Sequence, residues 1–307
     1  MTTQTRTGEV LRLNAREQTD LGLSLTQLAL RRLRRDKLTL FAIGVVLLLA
    51  LLSFLAPPIL ERALGVSFDR TNLTATFQPI GTPGHILGTD DLGRDHLIRL
   101  LYAGQVSLMI AFAAALLSLG IGLSLGVITG FYGSIIDDIM NWVIATLNSI
   151  PQLFLLLIIS AVLSPGPTSL VLVLGLLGWT STMRLVRGET LSIREREYII
   201  GARAIGSSPW RIMFVHIVPN LFSIVVVTLA IDIGSLILVE SALSFLGFGI
   251  KPPIPTWGNM LVNAQDFFTK GAHLVILPGL LITITVLCLY MIGDGVRDAF
   301  DPTTVDQ

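Results

Sequence analysis

The most informative segment of this chain reads RLVRGETLSIREREYIIGARAIGSSPWRIMFVH, residues 184–216, and lies between two long apolar runs. Six of the chain's 21 basic residues lie in it. A loop this basic is expected on the cytoplasmic side of a membrane. Ser192 and Glu195 have the spacing of a capping box, and Gly206 can adopt the left-handed conformation that ends a helix. We therefore predict a helix over residues 193–205 within this central loop, residues 184–216.

A second short helix is predicted directly after the first. Ser208 is placed as its N-cap and Pro209 as its first helical residue. Two short helices joined at Gly206 would make a bent, stiff loop, although an ordinary amphipathic loop on the membrane surface has a similar composition. Three apolar residues of the first helix fall at i, i+4 and i+7 and form a narrow stripe: Tyr198, Ala202 and Ile205.

Composition places the chain in a membrane. Apolar residues make up 52% of the chain, charged residues only 14%, and the mean hydropathy is +0.75. Soluble globular proteins are less apolar and more charged. Six runs are long enough to cross a bilayer as helices, which takes about 20 residues: 38–60, 106–131, 140–163, 169–183, 221–250 and 274–292. We predict an all-α membrane protein with six transmembrane helices.

The distribution of Lys and Arg predicts the orientation. With the N-terminus in the cytoplasm, eight basic residues lie in residues 1–37, six lie in the central loop and Arg297 lies in the C-terminal tail. Only six lie on the opposite side. This asymmetry predicts that both termini are cytoplasmic. The net charge is zero, and nothing in the sequence indicates binding to nucleic acid.

These assignments divide the chain into segments. Residues 1–37 are predicted to be a cytoplasmic tail with an amphipathic helix on the membrane surface, because Leu21, Leu25 and Leu28 share a helical face that precedes a basic run. A signal peptide is the alternative, but the apolar run is too long and lacks a cleavage site. The remaining segments are the first transmembrane helix 38–60, an extracytoplasmic loop 61–105, a five-helix core 106–292 containing the central loop, and a cytoplasmic tail 293–307.

The predicted extracytoplasmic loop contains the densest polar cluster: His85, Asp90, Asp91, Arg94, Asp95 and His96. Carboxylates and imidazoles together can bind a divalent metal. A structural role is favoured, because Thr89 is placed to cap a helix, with Asp90 and Asp91 at its positive end. Asp90 and Arg94 would form an i, i+4 ion pair on that helix. We therefore predict no metal site.

Two acidic residues, Asp232 and Glu240, lie inside the fifth predicted span. A charge inside a membrane costs at least ~3 kcal/mol, so such residues tend to face a cavity or a partner. Both are candidates for lining a translocation path. The alternatives are that Asp232 simply faces water and that Glu240 forms a structural ion pair.

Small residues and prolines shape the other spans. Gly122, Gly126 and Gly130 have the four-residue spacing that permits close helix packing. Pro151 is expected to kink the third span or to begin it.

Several motifs resemble one family of transporters. Residues 197–220, EYIIGARAIGSSPWRIMFVHIVPN, are similar to the cytoplasmic "EAA" loop of bacterial ABC-importer permeases, with Ala202 and Gly206 at the pattern's second Ala and Gly. The sequence departs from that pattern at Ile200, where Glu is usual, and at Gly201, where the first Ala is usual. Four further motifs resemble the inner-membrane permeases of dipeptide, oligopeptide and nickel importers: GTDDLGRD (88–95), LSFLGFGIKPP (243–253), PTWGNML (255–261) and GDGVRDAFDP (293–302).

The resemblance implies a type I ABC-importer permease in the cytoplasmic membrane. It implies import of dipeptides or oligopeptides, or alternatively of nickel or another small solute. The implied partners are a second homologous permease subunit, two ABC ATPase subunits that hold ATP and Mg, an extracytoplasmic solute-binding protein and the lipid bilayer. The residues implied to couple to the ATPase are Tyr198, Ile200, Gly201, Ala202, Arg203, Ile205 and Gly206.

No catalytic role is predicted for this chain. The sequence has no phosphate loop of the form GxxxxGK[ST] and no HExxH pattern. ATP would therefore be hydrolysed by other subunits, and no cofactor is expected here. The main rival is an ATP-independent secondary transporter that uses Asp232 and Glu240 as an ion relay. A membrane-embedded hydrolase is the weakest alternative, because no plausible nucleophile and base pair is evident.

Overall fold

A computed structural model describes residues 25–163 and 166–300, and this part of the chain is helical without any β-strand. Five of its helices are long and apolar enough to cross a membrane, and one bent helix pair supplies a sixth candidate span. The predicted all-α membrane architecture is confirmed. Residues 1–24 and 301–307 lie outside the described residues, as does Leu21 of the predicted surface helix.

The helices follow one another along the chain with short connections, apart from two longer loops, 65–95 and 246–263. Their bounds are α1 Leu25–Leu33, α2 Lys37–Leu64, α3 His96–Tyr132, α4 Ser134–Asn148, α5 Gln152–Val162, α6 Pro167–Arg194, α7 Glu197–Ala204, α8 Pro209–Arg211, α9 Phe222–Phe245, α10 Ala264–Lys270 and α11 His273–Phe300. A π-helical segment, Ile212–Ile217, and a 3₁₀ turn, Val218–Leu221, join α8 to α9.

The third predicted span is bent. Helices α4 and α5 meet at an angle of 80° across residues 149–151. Pro151 precedes the first residue of α5, where its missing N–H and fixed φ suit the start of a helix. The prediction that Pro151 kinks or begins this span is confirmed.

Two other predicted spans were too short. Helix α3 has 37 residues and begins at His96, ten residues before the predicted start. Helix α6 has 28 residues and continues to Arg194, well beyond the predicted end at residue 183. Charged residues interrupt both extensions, Arg99 in α3 and three arginines, Arg184, Arg187 and Arg194, in α6, so a search for uninterrupted apolar runs could not find them. Other segments contact polar residues there: Arg99 pairs with Asp90, and Arg187 pairs with Asp137.

The start of α3 also corrects a predicted cap. Asp95, and not Thr89, caps this helix by accepting a hydrogen bond from the N–H of Ile98 (2.9 Å). The Thr89 hydroxyl is engaged elsewhere, because it donates to the carbonyl oxygen of Ala75 and accepts from the N–H of Gln78. The ion pair between Asp90 and Arg94 is confirmed at 2.8 Å, but it lies in the turn before the helix.

Helices α3 and α6 pack closely through small residues. A Cβ atom on Gly122 would lie 2.7 Å from Thr182 Cβ, and one on Gly126 would lie 2.7 Å from Val186 Cβ. Gly130 makes the same kind of approach to Thr190 (2.6 Å). Such distances leave no room for a side chain, so the predicted packing role of these three glycines is confirmed. Helices α3 and α6 are therefore in close contact from Gly122 to Gly130.

Candidate functional site

The central loop begins later than the sequence predicted. Ser192 lies inside α6, so no capping box forms, and the short helix α7 begins at Glu197 without a side-chain cap. Two contacts hold the polar C-terminal part of α6 against neighbouring helices. Arg187 pairs with Asp137 of α4, and Arg194 donates to the carbonyl oxygen of Gly130. The predicted start at residue 193 was therefore wrong.

The end of α7 agrees with the prediction. Gly206 has φ +83°, the left-handed conformation that glycine adopts without strain. The N–H of Ser207 donates to Ala202 O (3.0 Å), and the N–H of Gly206 donates to Arg203 O (3.0 Å). These two bonds form a Schellman motif, which satisfies carbonyl groups that the helix end would leave unpaired.

The second short helix also begins as predicted. The hydroxyl of Ser208 accepts a hydrogen bond from the N–H of Arg211 (3.4 Å), and Pro209 is the first helical residue. Helices α7 and α8 are thus separated only by residues 205–208.

The buried face of α7 differs from the predicted stripe. Ile199 is fully buried and Ala202 is 8% exposed, and both pack against Ile193, Met213 and other apolar residues of α3, α6 and the π-helical segment. Of the predicted stripe, Tyr198 is 45% exposed and Ile205 is 85% exposed. The stripe prediction was wrong except at Ala202, because it missed Ile199, which gains more from burial than a tyrosine that must keep its hydroxyl solvated.

The other face of the central loop exposes apolar side chains. Ile200 is 53% exposed, and the rings of Trp210 and Phe214 stack at a centroid distance of 5.5 Å while both remain exposed. Large exposed apolar groups in a basic loop indicate an interaction surface. Of the residues that the resemblance implicates in coupling, Tyr198, Ile200, Gly201, Arg203, Ile205 and Gly206 lie exposed, whereas Ala202 contacts the bundle.

The loop is attached to α3 at two points. Arg194 Nη1 donates to Gly130 O (3.0 Å), and the guanidinium of Arg203 lies 4.9 Å from the centroid of the Phe131 ring. A cation over an aromatic face is attractive by about 0.5–1 kcal/mol at exposed sites. The end of α6 and the C-terminal end of α7 are therefore both held against the end of α3.

The two acids of the fifth predicted span have different surroundings in α9. Asp232 is partly exposed, and its carboxylate accepts a hydrogen bond from the Thr182 hydroxyl (3.2 Å). Glu240 is 0% exposed and accepts hydrogen bonds from the hydroxyls of Ser107 and Ser244. Glu240 therefore does not line an open path in this structure. Its partners here are hydroxyls and not the cation that an ion pair would need.

The polar cluster of the 65–95 loop is held by ion pairs. His85 contacts Asp95 (2.8 Å), and Asp90 contacts both Arg94 and Arg99. Among the described residues, no three His, Cys, Asp or Glu side chains come together as a metal site.

A hydrolase-like pattern in α3 also has a structural explanation. Residues 122–126, GLSLG, match the GxSxG pattern of hydrolases. Ser124 lies inside α3 and donates to Gly120 O, so it is not on the strand-to-helix turn that such a nucleophile needs.

Two family models match most of the chain. Residues 122–306 match the binding-protein-dependent transport system inner membrane component, and residues 24–79 match the N-terminal transmembrane domain of oligopeptide transport permease C. This chain belongs to the family of binding-protein-dependent transport permeases. It is a permease subunit of an ABC importer and a multi-pass protein of the cytoplasmic membrane, and its family implies ATPase and binding-protein partners.

Curated relatives are similar over nearly their whole length. The dipeptide transport system permease protein DppC of Haemophilus influenzae is 36% identical over 276 residues, which cover 88% of this chain and 92% of the relative. The oligopeptide transport system permease protein OppC of Mycobacterium tuberculosis is 36% identical over 279 residues, which cover 90% of this chain and 94% of the relative. OppC of Bacillus subtilis is 33% identical over 281 residues, which cover 92% of this chain and 90% of the relative. The relatives are permease subunits, not ATPases.

A solved structure supports the fold. The inward-facing MetNI methionine ABC transporter matches with a TM-score of 0.53 and 20% identity, covering 66% of this chain and 96% of the matched chain. At this identity the likeness establishes the fold alone.

Proposed function

We propose that this chain carries dipeptides or oligopeptides across the cytoplasmic membrane as one of two homologous permease subunits in an ATP-driven importer. The names of the relatives support the substrate class, since those aligned over about nine-tenths of the chain are dipeptide or oligopeptide permeases. The translocation path would form between the two permeases, with Asp232 as a candidate for lining it.

The proposed orientation places both termini and the central loop in the cytoplasm. Residues 1–37 and 293–307 would be cytoplasmic tails, and the 65–95 and 246–263 loops would face outward to the solute-binding protein. The excess of basic residues in the central loop and the N-terminal segment supports this orientation.

The two ATPase subunits, which hold ATP and Mg, would bind the exposed face of the central loops. The main support is the way α7 is held: Ile199 and Ala202 attach it to the bundle while Ile200 and Ile205 are left exposed. Because Ile200 replaces the usual Glu, the contact at this position would be apolar and not ionic.

The proposed mechanism is a shift between conformational populations. When ATP draws the ATPase subunits together, their contact with α7 would favour one arrangement of the permease helices over the other. A loop transmits such a bias only if it moves as a unit. The Schellman motif at Gly206 and the contacts of Arg194 and Arg203 with α3 provide that stiffness.

Aspartate substitutions on the exposed face test this proposal. Ile200→Asp and Ile205→Asp place a charge where an apolar contact is proposed, without altering the buried face. We expect normal membrane levels of the permease, at least a tenfold loss of co-purified ATPase and a matching loss of peptide uptake, because one central apolar contact is worth about 2 kcal/mol.

The matched control is Ile86→Asp, an exposed isoleucine in the 65–95 loop. It should leave ATPase association unchanged. Full ATPase association in both central-loop variants would refute docking at α7. Uptake of labelled nickel but not of labelled peptides by the wild-type complex would refute the substrate class.

A further inference from the structure

One buried carboxyl group connects three parts of the bundle. Glu240 Oε2 accepts a hydrogen bond from Ser107 Oγ of α3 (3.0 Å), and Glu240 Oε1 accepts one from Ser244 Oγ of α9 (2.7 Å). Neither contact is exposed to solvent. Buried polar networks of this kind specify one arrangement when every member has a partner.

Each serine hydroxyl also receives a backbone N–H from the loop that follows α9. We call this loop, residues 246–263, the cap segment. The N–H of Trp257 donates to Ser107 Oγ (3.3 Å), and the N–H of Ile250 donates to Ser244 Oγ (3.4 Å). One carboxyl group thus orients two hydroxyls, and these hold two points of the cap segment seven residues apart.

The cap segment also packs closely against α9 beside its two hydrogen-bonded residues, Ile250 and Trp257. A Cβ on Gly249 would lie 2.1 Å from Ser244 Oγ, and one on Gly258 would lie 2.5 Å from Ser241 Cα. The Trp257 indole is buried and donates from Nε1 to Leu100 O (3.1 Å). Both anchored ends therefore lie directly on α3 and α9.

Between Ile250 and Trp257, the two residues held by the serine hydroxyls, the chain turns outward. Residues 251–254, Lys-Pro-Pro-Ile, are exposed, whereas residues 249–250 and 255–258 are buried. The Asn259 amide closes this turn by donating to Ile250 O (3.0 Å) and Ile254 O (2.9 Å). The result is a short exposed tip on a fixed base.

We propose that Glu240 is a positioning residue for transport: it holds the cap segment in the one geometry in which residues 251–254 receive the solute-binding protein. This proposal rests on the proposed function, which places the cap segment outside and assigns the binding protein to that side. Because the same network joins the cap segment to α3, and α3 packs on α6, docking at the tip acts on the helices that hold the central loop.

Single hydroxyl deletions test the network in the assembled importer. Ser107→Ala and Ser244→Ala each remove one link, and Ser124→Ala removes a hydroxyl from α3 that only bonds within its own helix. Hydrogen exchange of the cap segment should be about fivefold faster in the first two variants and unchanged in Ser124→Ala, because one net hydrogen bond contributes about 1 kcal/mol. Unchanged exchange in both variants overturns the anchoring.

The second measurement is ATPase activity of the reconstituted complex titrated with the solute-binding protein of the same system. Ser107→Ala and Ser244→Ala should raise the half-stimulating concentration severalfold and leave the maximal rate unchanged. Faster exchange with an unchanged half-stimulating concentration overturns the docking role, as does activation without binding protein, which would make the network a gate. Absence of any stimulation in the wild type refutes the proposed function, while the exchange measurement still tests the anchoring.

Glu240→Leu provides an independent variant. Leucine is an apolar side chain of comparable size with no acceptor, so both serine hydroxyls lose the group that orients them. We expect the same rise in half-stimulating concentration. A normal titration in Glu240→Leu together with normal exchange contradicts the positioning role.

Discussion

Arg194, the last residue of α6, donates a hydrogen bond from Nη1 to the carbonyl oxygen of Gly130 in the last turn of α3 (3.0 Å). Carbonyl groups in a final helical turn lack intrahelical partners, so the bond satisfies one of them. It also joins the start of the central loop to the tightly packed α3–α6 pair. The force that we propose acts on α7 would therefore reach two spanning helices and not a loose connection.

The close approach of α3 and α6 predicts a strong size dependence at Gly126. Gly126→Val would force a side chain to within 2.7 Å of Val186 and should lower the free energy of unfolding by about 1–3 kcal/mol. Gly120→Val is the matched control, because no atom other than nearby backbone of its own helix lies within 4 Å of its Cβ position. Thermal unfolding of the purified complex checks this, and equal midpoints for the two variants would contradict the packing.

The ion pair of Arg187 and Asp137 is predicted to stabilise the extension of α6 beyond its apolar part. Their side chains are partly shielded, 27% and 14% exposed, so the coupling should exceed that of a surface pair and reach about 1–2 kcal/mol. A double-mutant cycle of Arg187→Met and Asp137→Asn, read by thermal unfolding, measures it. A coupling energy near zero would mean that the pair does not support α6.

The left-handed conformation of Gly206 predicts different outcomes for two substitutions. Gly206→Val should strain the end of α7 by about 1–2 kcal/mol and reduce coupling of ATP hydrolysis to uptake. Gly206→Asn should retain coupling, because asparagine adopts this conformation more readily. Uptake per ATP hydrolysed is the measurement, and an unaffected Val variant would show that α7 need not end in a fixed geometry.

Asp36 predicts a component of acid sensitivity. It caps α2 through the N–H groups of Leu38 and Thr39, and the Thr39 hydroxyl that donates to its carboxylate lowers the pKa of Asp36 below its usual value. A lowered folded-state pKa stabilises the protein above the unfolded-state pKa of about 4, and this contribution disappears as the pH falls through the folded-state value.

Asp36→Asn should keep the cap without this titration, whereas Asp36→Ala should cost about 1 kcal/mol at pH 7. Thermal midpoints between pH 7 and pH 3 test both. The gap between the wild type and Asp36→Asn should narrow on acidification, and a gap that widens would contradict the direction of the pKa shift.

Sequence alone was sufficient where a residue acts through its own backbone or its near neighbours. Gly206 ends α7 because few other residues tolerate its φ, Pro151 begins α5 because it lacks an N–H, and Pro209 follows the Ser208 cap for the same local reasons. The small-residue repeat 122–130 also predicted close packing, although not that α6 would be its partner. The motif resemblance identified the family because several separate segments matched in order.

Tertiary structure decided what depends on residues distant in sequence. Helix α6 passes Ser192 because Asp137 and Gly130 of other helices hold its arginines, so a local capping signal was overridden. In the sequence, Glu240 and Asp232 are equivalent as acidic residues of one predicted span. Glu240 differs because α3 and the cap segment pack around it and place its carboxylate between two serine hydroxyls. Local dihedral preferences act over a few residues, whereas burial and hydrogen-bond partners come from the whole fold, so the fold determines the environment of each charge.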